Sequence, residues 1–189
     1  MVTFKSAKAT LIALTLCIAC LVTACSPQAT IPSGEDTVPY LDDLVSAVSS
    51  RSTGDLLALI QFSSLPCTKR EGMGGPPKCL ADEKEGTLVD VLPMLGPEGH
   101  HIRRSEFSSW PGLGDAQLYA AFRTSESTYS DEFFPAGDFG VAFLLSDKAS
   151  VVVFQVTEDG IVRIDYSTLP FEDILKSNEV ILGPYPLPK

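Results

Sequence analysis

Two adjacent histidines, His100 and His101, are the residues that could most directly hold a metal ion or transfer a proton. Neighbouring residues on a strand point to opposite faces, so the two rings would not converge on one ion there. No carboxylate motif flanks the pair, and Gly99 places it near a turn. We therefore expect an ordinary surface pair and predict no metal site.

A glycine-rich stretch at residues 72–77 has the composition of a loop whose backbone amides could approach a phosphate. It lacks the Gly-Lys-Ser/Thr ending of a phosphate-binding loop, and its two prolines remove two amide donors. Three cations, Lys69, Arg70 and Lys78, flank the stretch in an otherwise acidic protein. They indicate either a contact for an acidic partner or simply solvated charges, and the sequence leaves both open.

Paired carboxylates could supply a general acid and a general base, which need two separated pKa values in one pocket. Each pair also fits a local role in a wet helix face, a loop, a hairpin turn or the first turn of a helix. The pairs are Asp42-Asp43, Asp131-Glu132, Glu158-Asp159 and Glu172-Asp173. The sequence has no Gly-x-Ser-x-Gly or His-Glu-x-x-His motif, so we predict no catalytic residue and no cofactor.

The first 24 residues have the pattern of an export signal, with Lys5 and Lys8 before an apolar run at residues 11–22. That run is too short for a retained transmembrane helix, which needs roughly 20 apolar residues. The signal ends in Val22-Thr23-Ala24-Cys25, which resembles the lipobox of bacterial lipoproteins: an aliphatic residue, two small ones and the acylated cysteine. Cys20 is a rival site, but Cys17 would then occupy the aliphatic position.

The resemblance implies that Cys25 carries a lipid anchor and that residues 1–24 are removed. Two or more acyl chains anchor a protein stably, whereas one binds only marginally. We therefore expect the mature chain at the extracytoplasmic face of the cell membrane or the outer membrane, attached without crossing it.

The charge of the mature chain disfavours nucleic acid as a partner. Removing the leader takes Lys5 and Lys8 from the 14 basic side chains and none of the 24 acidic ones, leaving a net charge of about −12. Nucleic-acid binding needs a basic patch that displaces counterions from phosphates. We expect no nucleic acid, and an envelope protein or a small apolar ligand instead.

The five cysteines then divide cleanly. Cys17 and Cys20 leave with the leader and Cys25 takes the lipid, so Cys67 and Cys79 are left as a pair. Disulfides persist in exported proteins, and we predict a bridge between these two residues. A two-cysteine metal site is the alternative, although no histidine or further cysteine lies nearby to complete a tetrahedral shell.

The elements that position these groups follow from the apolar pattern. Residues 25–36 have the composition of a flexible tether. Thr37 can cap a first helix with an apolar stripe at Leu41, Leu44, Val45 and Val48, and residues 52–55 can start a second helix over residues 56–62. These two helices predict a helical hairpin. Residues 63–85 are irregular, residues 87–92 are a weak strand, and residues 170–176 can form a closing helical turn.

The second half of the chain reads as strands at residues 116–124, 139–146, 150–157 and 161–167. The last two form a hairpin around an Asp-Gly turn. Alternation places Ile161, Arg163, Asp165 and Ser167 on one face, which we expect to be largely wet.

This order of elements resembles the nuclear-transport-factor-like cone fold, which includes polyketide-cyclase-like enzymes. The resemblance implies one α+β domain over residues 37–189, with a helical hairpin on a curved antiparallel sheet around a conical cavity. Tyr119 and Arg123, spaced to share a face, are the pocket candidates. We expect a binding or interaction module; a cone-pocket isomerase, cyclase or hydrolase acting on a small apolar molecule is the alternative. An accessory subunit would instead expose Trp110, Phe133 and Phe134 as an apolar patch.

Overall fold

A computed structural model describes residues 37–72, 74–110, 112–147, 150–167 and 171–185, which belong to one compact unit, Ser33–Lys189. The leader predicted at residues 1–24, the acylation predicted at Cys25 and the tether predicted at residues 25–36 lie outside the described residues. None of the described helices is long and apolar enough to span a bilayer.

Three α-helices and eight strands make up the described fold. The helices are α1 (Leu41–Ser49), α2 (Thr53–Ala58) and α3 (Phe171–Lys176), with a 3-10 helix at Phe107–Ser109. The strands are β1 (Ser63–Pro66), β2 (Leu88–Leu95), β3 (His100–Arg103), β4 (Gln117–Arg123), β5 (Phe139–Leu144), β6 (Val151–Thr157), β7 (Gly160–Ser167) and β8 (Glu179–Leu182).

The strands form one sheet in the order β1-β2-β7-β6-β5-β4-β8, with β3 paired to β2 off this path. Every pairing is antiparallel except that of β2 with β7, where Met94 lies opposite Ile164. The predicted α+β class and the mainly antiparallel sheet are therefore confirmed. The Asp-Gly hairpin is also confirmed, because Thr157 pairs with Gly160 across residues 158–159.

The helix starts differ in how well the sequence predicted them. Ser52 caps α2 as expected, accepting a hydrogen bond from the Asp55 amide at 3.1 Å. The predicted cap at Thr37 is wrong, because α1 starts after Tyr40, which is left-handed and makes no side-chain cap. α2 ends at Ala58, before the predicted residue 62, because the Gln61 amide donates to the Ile161 carbonyl at 2.9 Å and draws the chain onto β7.

Both faces of the sheet are buried. The inner face packs against α1, α2 and the 3-10 helix in a cluster that includes Leu44, Leu56, Phe107, Phe154 and Ile164. The outer face carries a second cluster that includes Tyr119, Phe122 and Val153, against which Ile174 and Leu175 of α3 pack. Burying one large apolar side chain contributes about 1.5–3 kcal/mol, so burial on both faces is the main stabilising term of the fold.

One prediction is wrong on the outer face of β7. Arg163 was expected on a wet face, yet its exposed fraction is 1%. Its guanidinium pairs with Asp165 and donates to the carbonyls of Tyr129 and Phe134, in the connection between β4 and β5. That connection therefore covers the polar side of β7, and the buried cation holds it there.

Candidate functional site

The two pocket candidates from the sequence, Tyr119 and Arg123, do not share a face. A β-bulge shifts the register between Leu118 and Ala120. The extra residue reverses which face of the sheet the following side chains point to. Tyr119 is buried in the outer cluster, whereas Arg123 lies over the Phe139 ring, 5.1 Å from its centroid, on the inner side. The predicted shared face is thus wrong, and neither residue lines the cleft described next.

An open cleft of about 660 Å³ lies on the inner side of the sheet, between the ends of β2 and β7 and the strand β3. Met94, Ile102, Trp110 and Tyr166 form its apolar walls, and Glu98 and His100 are exposed residues on its lining. Volumes of several hundred cubic ångströms with mostly apolar walls are typical of small-molecule sites. We call this feature the cleft.

The walls are set by separate parts of the chain. The parallel pairing of β2 with β7 brings Met94 close to the end of β7, where Tyr166 lies. Trp110 follows the 3-10 helix and stacks on Phe107 at 5.3 Å between ring centroids. Phe107 in turn meets the edge of Phe62. Because Trp110 is 9% exposed and stacked on Phe107, its ring is held in place where the residue lines the cleft.

Tyr166 and His101 have shifted pKa values, and both shifts favour the neutral form of the side chain. Burial raises the pKa of the Tyr166 hydroxyl, although a hydrogen bond with Trp110 opposes that rise. Burial lowers the pKa of His101, against a hydrogen bond to the Phe133 carbonyl at 3.2 Å. The expectation of a surface pair therefore holds for exposed His100 and is wrong for His101, whose ring also lies 4.9 Å from that of Phe134.

The apolar patch that an accessory subunit would expose at Trp110, Phe133 and Phe134 does not form. Trp110 and Phe134 are buried, the latter with an exposed fraction of 2%. The Asp131 carboxylate accepts the amides of Phe133 and Phe134 and turns the chain so that Phe134 faces inward. The three residues therefore do not offer a docking surface.

The predicted disulfide is confirmed: Cys67 and Cys79 are bonded, with their Cα atoms 5.0 Å apart. Glu83 lies beside the two sulfurs, within 4.8 Å, but both of its carboxylate oxygens accept hydrogen bonds from Arg103 at 2.7 Å. Those bonds hold the pKa of the Glu83 carboxyl below its usual range. The ion pair of Glu83 with Arg103 ties the segment that follows Cys79 to β3.

Comparisons of the chain with protein-family models, with curated proteins and with solved structures found no match.

Proposed function

We propose that this protein is a lipid-anchored, extracytoplasmic binding module that takes a small apolar molecule into the cleft. The observation that carries the proposal is the cleft itself, with about 660 Å³ of space between Met94, Ile102, Trp110 and Tyr166. An apolar molecule entering it would remove these walls from water, at about 25 cal/mol for each Å² of apolar surface.

The pKa shifts of Tyr166 and His101 favour binding over catalysis. Tyr166 has a raised pKa and His101 a lowered one, so neither ring is charged near pH 7. A general base works best when its pKa lies near the working pH and an acid partner faces it. The alternative, a cone-pocket enzyme, would have to recruit the exposed Glu98 and His100, and mass spectrometry of the recovered ligand would reveal turnover.

The finer description of the fold belongs to the same proposal. We infer that α1 and α2 act as a helical hairpin on a curved, cone-like sheet. Support comes from the short connection between them, from their shared burial on the inner face, and from the position of the cleft on that face. The cleft then corresponds to the mouth of the cone.

Anchoring through Cys25 is supported by the lipobox-like Val22-Thr23-Ala24-Cys25. We expect mass spectrometry of the protein from a bacterial host to find a mature chain that begins at a diacylglyceryl-modified Cys25. The Cys25→Ala variant should accumulate as an uncleaved precursor, while Cys20→Ala is processed normally. A mature chain that begins at another residue, or an unmodified Cys25, would contradict the anchor.

Trp110 is the single tryptophan of the chain and lines the cleft, so its fluorescence reports occupancy directly. We expect dodecanol to change the emission of the mature protein held in nanodiscs, in a saturable way. Ile102→Asp should weaken this binding at least about tenfold, because it places a charge in the apolar wall.

Leu88→Asp is the matched control, since Leu88 is 66% exposed on β2 and does not line the cleft. Partition of dodecanol into the nanodisc lipid is the same for each variant, so differences between variants report the protein. Equal titrations of Ile102→Asp and Leu88→Asp, or no saturable change at all, would reject the cleft as the binding site.

A further inference from the structure

The basic side chains of the described residues fall into two groups. Six form ion pairs with carboxylates: Arg51, Arg103, Arg104, Arg123, Arg163 and Lys176. The other four described cations have no carboxylate within ion-pair distance: Lys69, Arg70, Lys78 and Lys84. All four are exposed and lie within residues 67–85, which include the disulfide-bridged loop. In the described part of this acidic chain, the uncompensated positive charge is therefore confined to one segment.

Three of these cations line one hollow of about 470 Å³, which we call the cationic hollow. They are Lys69, Arg70 and Lys78, and Glu71 is the one carboxylate in the lining. Three cations against one carboxylate leave the lining with a net positive charge. Because none of the three forms an ion pair, an incoming anion does not have to displace a carboxylate from them.

Leu80 gives the cationic hollow an apolar contact. It lines the hollow and is 48% exposed, whereas most large apolar side chains of the described residues are buried. The neighbouring Ala81 is also exposed and lines the hollow. An exposed leucine is ordinary by itself, but an apolar contact beside polar and charged groups is the composition of a protein–protein interface.

The backbone that carries these side chains is fixed at several points. The Thr68 amide donates to the Pro77 carbonyl at 2.8 Å, and the Cys79 amide donates to the Thr68 carbonyl at 3.0 Å. Just after the disulfide, the Leu80 amide donates to the Glu83 carboxylate at 2.8 Å. A surface that is held in this way loses little backbone freedom when a partner binds, so more of the contact free energy remains as affinity.

The exposure of the cations indicates which anion this surface suits. A single exposed ion pair contributes little, because water and salt screen it, so a lone phosphate or carboxylate would bind only weakly. A protein segment with several acidic side chains can pair with all three cations at once and place an apolar side chain against Leu80. The hollow is also concave, a shape that protruding side chains can enter and a flat bilayer surface cannot fill.

We propose that the cationic hollow docks an acidic segment of a partner protein, whose carboxylates pair with Lys69, Arg70 and Lys78 while an apolar side chain contacts Leu80. The lining of this hollow shares no residue with that of the cleft, so the inference does not depend on the proposed function. It also gives the three cations a role that solvated surface charges would not have.

The test compares two dye-labelled peptides, Glu-Asp-Leu-Asp-Glu and its uncharged counterpart Gln-Asn-Leu-Asn-Gln, which have the same length and nearly the same shape. Fluorescence anisotropy follows their binding to the mature protein in nanodiscs of zwitterionic lipid, with empty nanodiscs as the blank. We expect the acidic peptide to bind about tenfold more tightly at low salt, as the combined effect of three weak ion pairs. Added salt should remove the difference.

Variants of the cations show whether this preference comes from the hollow. The triple variant Lys69→Ala, Arg70→Ala, Lys78→Ala should bind the two peptides equally. Lys84→Ala is the matched control and should keep the preference, because Lys84 also lacks an ion pair but does not line the hollow. Circular dichroism checks that each variant is folded.

Variants of two exposed leucines test the apolar contact. Leu80→Ser should weaken the binding of both peptides about threefold, since each carries the leucine that would contact it. Leu88→Ser should change neither, because Leu88 is 66% exposed and does not line the hollow. Equal effects of the two substitutions would exclude Leu80 from the surface and contradict the inference.

Two further results would overturn it. Equal binding of the two peptides to the wild type, or a preference that survives in the triple variant, would show that these cations do not bind an acidic segment. Displacement of the acidic peptide by inorganic phosphate, or by a soluble short-chain phosphatidylglycerol, more effectively than by chloride at the same ionic strength would identify the occupant as a lone anion or a lipid headgroup. The dodecanol titration of Trp110 judges the cleft separately from all of these outcomes.

Discussion

Asp165→Asn should lower the free energy of unfolding by about 3 kcal/mol, the low end of the cost of breaking a buried ion pair. The Asp165 carboxylate accepts from Arg163 Nε at 2.6 Å, from Arg163 Nη2 at 3.0 Å and from Gln155 Nε2 at 2.8 Å. An amide in its place offers an NH₂ group to donors and leaves the Arg163 charge buried without a counter-ion. Urea denaturation followed by circular dichroism measures the loss.

Asp173→Asn is the control for this change, because the Asp173–Lys176 pair is exposed and should contribute about 0–1 kcal/mol. The loss in Asp165→Asn should also loosen the connection between β4 and β5, since Arg163 Nη1 donates to the Tyr129 and Phe134 carbonyls at 2.8 and 2.7 Å. Hydrogen exchange should therefore quicken in residues 125–138. A stability within about 0.5 kcal/mol of the wild type would show that the pair does not anchor this connection.

Arg163 also shows why alternation gives the face of a residue but not its burial. The sequence correctly groups Arg163 with Asp165 on one side of β7, because the period of a strand is two residues. Whether that side is wet depends on residues 125–138, which contact it from about 30 positions earlier in the chain. A local sequence pattern does not show which distant residues will cover a strand. It therefore does not distinguish a buried cation from an exposed one.

The long apolar strands were predictable, and the short ones were not. β4 to β7 are rich in Val, Phe and Ile, which favour strands, and the Asp-Gly turn joins two of them. β1, β3 and β8 have four residues each, and β1 ends in Pro66. Their pairing comes from neighbours already in the sheet rather than from their own composition, which is why none of the three was predicted as a strand.

The cleft could not be predicted from the sequence, for a related reason. Its walls come from β2, β3, the residue after the 3-10 helix and β7, and each contributes one side chain that reads as ordinary core. The candidates chosen from spacing, Tyr119 and Arg123, were separated by a single bulge. The one signal that could have helped is Trp110, a lone tryptophan in a Pro- and Gly-rich segment.

The cations Lys69, Arg70 and Lys78 were identified from the sequence as flanking the glycine-rich stretch. The arrangement depends on the bridge between Cys67 and Cys79, which joins the two ends of the glycine- and proline-rich stretch that carries Lys69, Arg70 and Lys78.

Removing that bridge in the Cys67→Ser, Cys79→Ser double variant should cost about 3 kcal/mol, the chain-entropy value for a loop of this length. The melting temperature should fall by about 10 °C, measured by calorimetry. The fold should survive, because the inner cluster of α1, α2 and the sheet does not include either cysteine. Reduction of the wild type should give the same loss, and alkylation of both thiols in the unreduced wild type would contradict the bridge. Dodecanol should still bind the double variant, since the cleft is built from other segments.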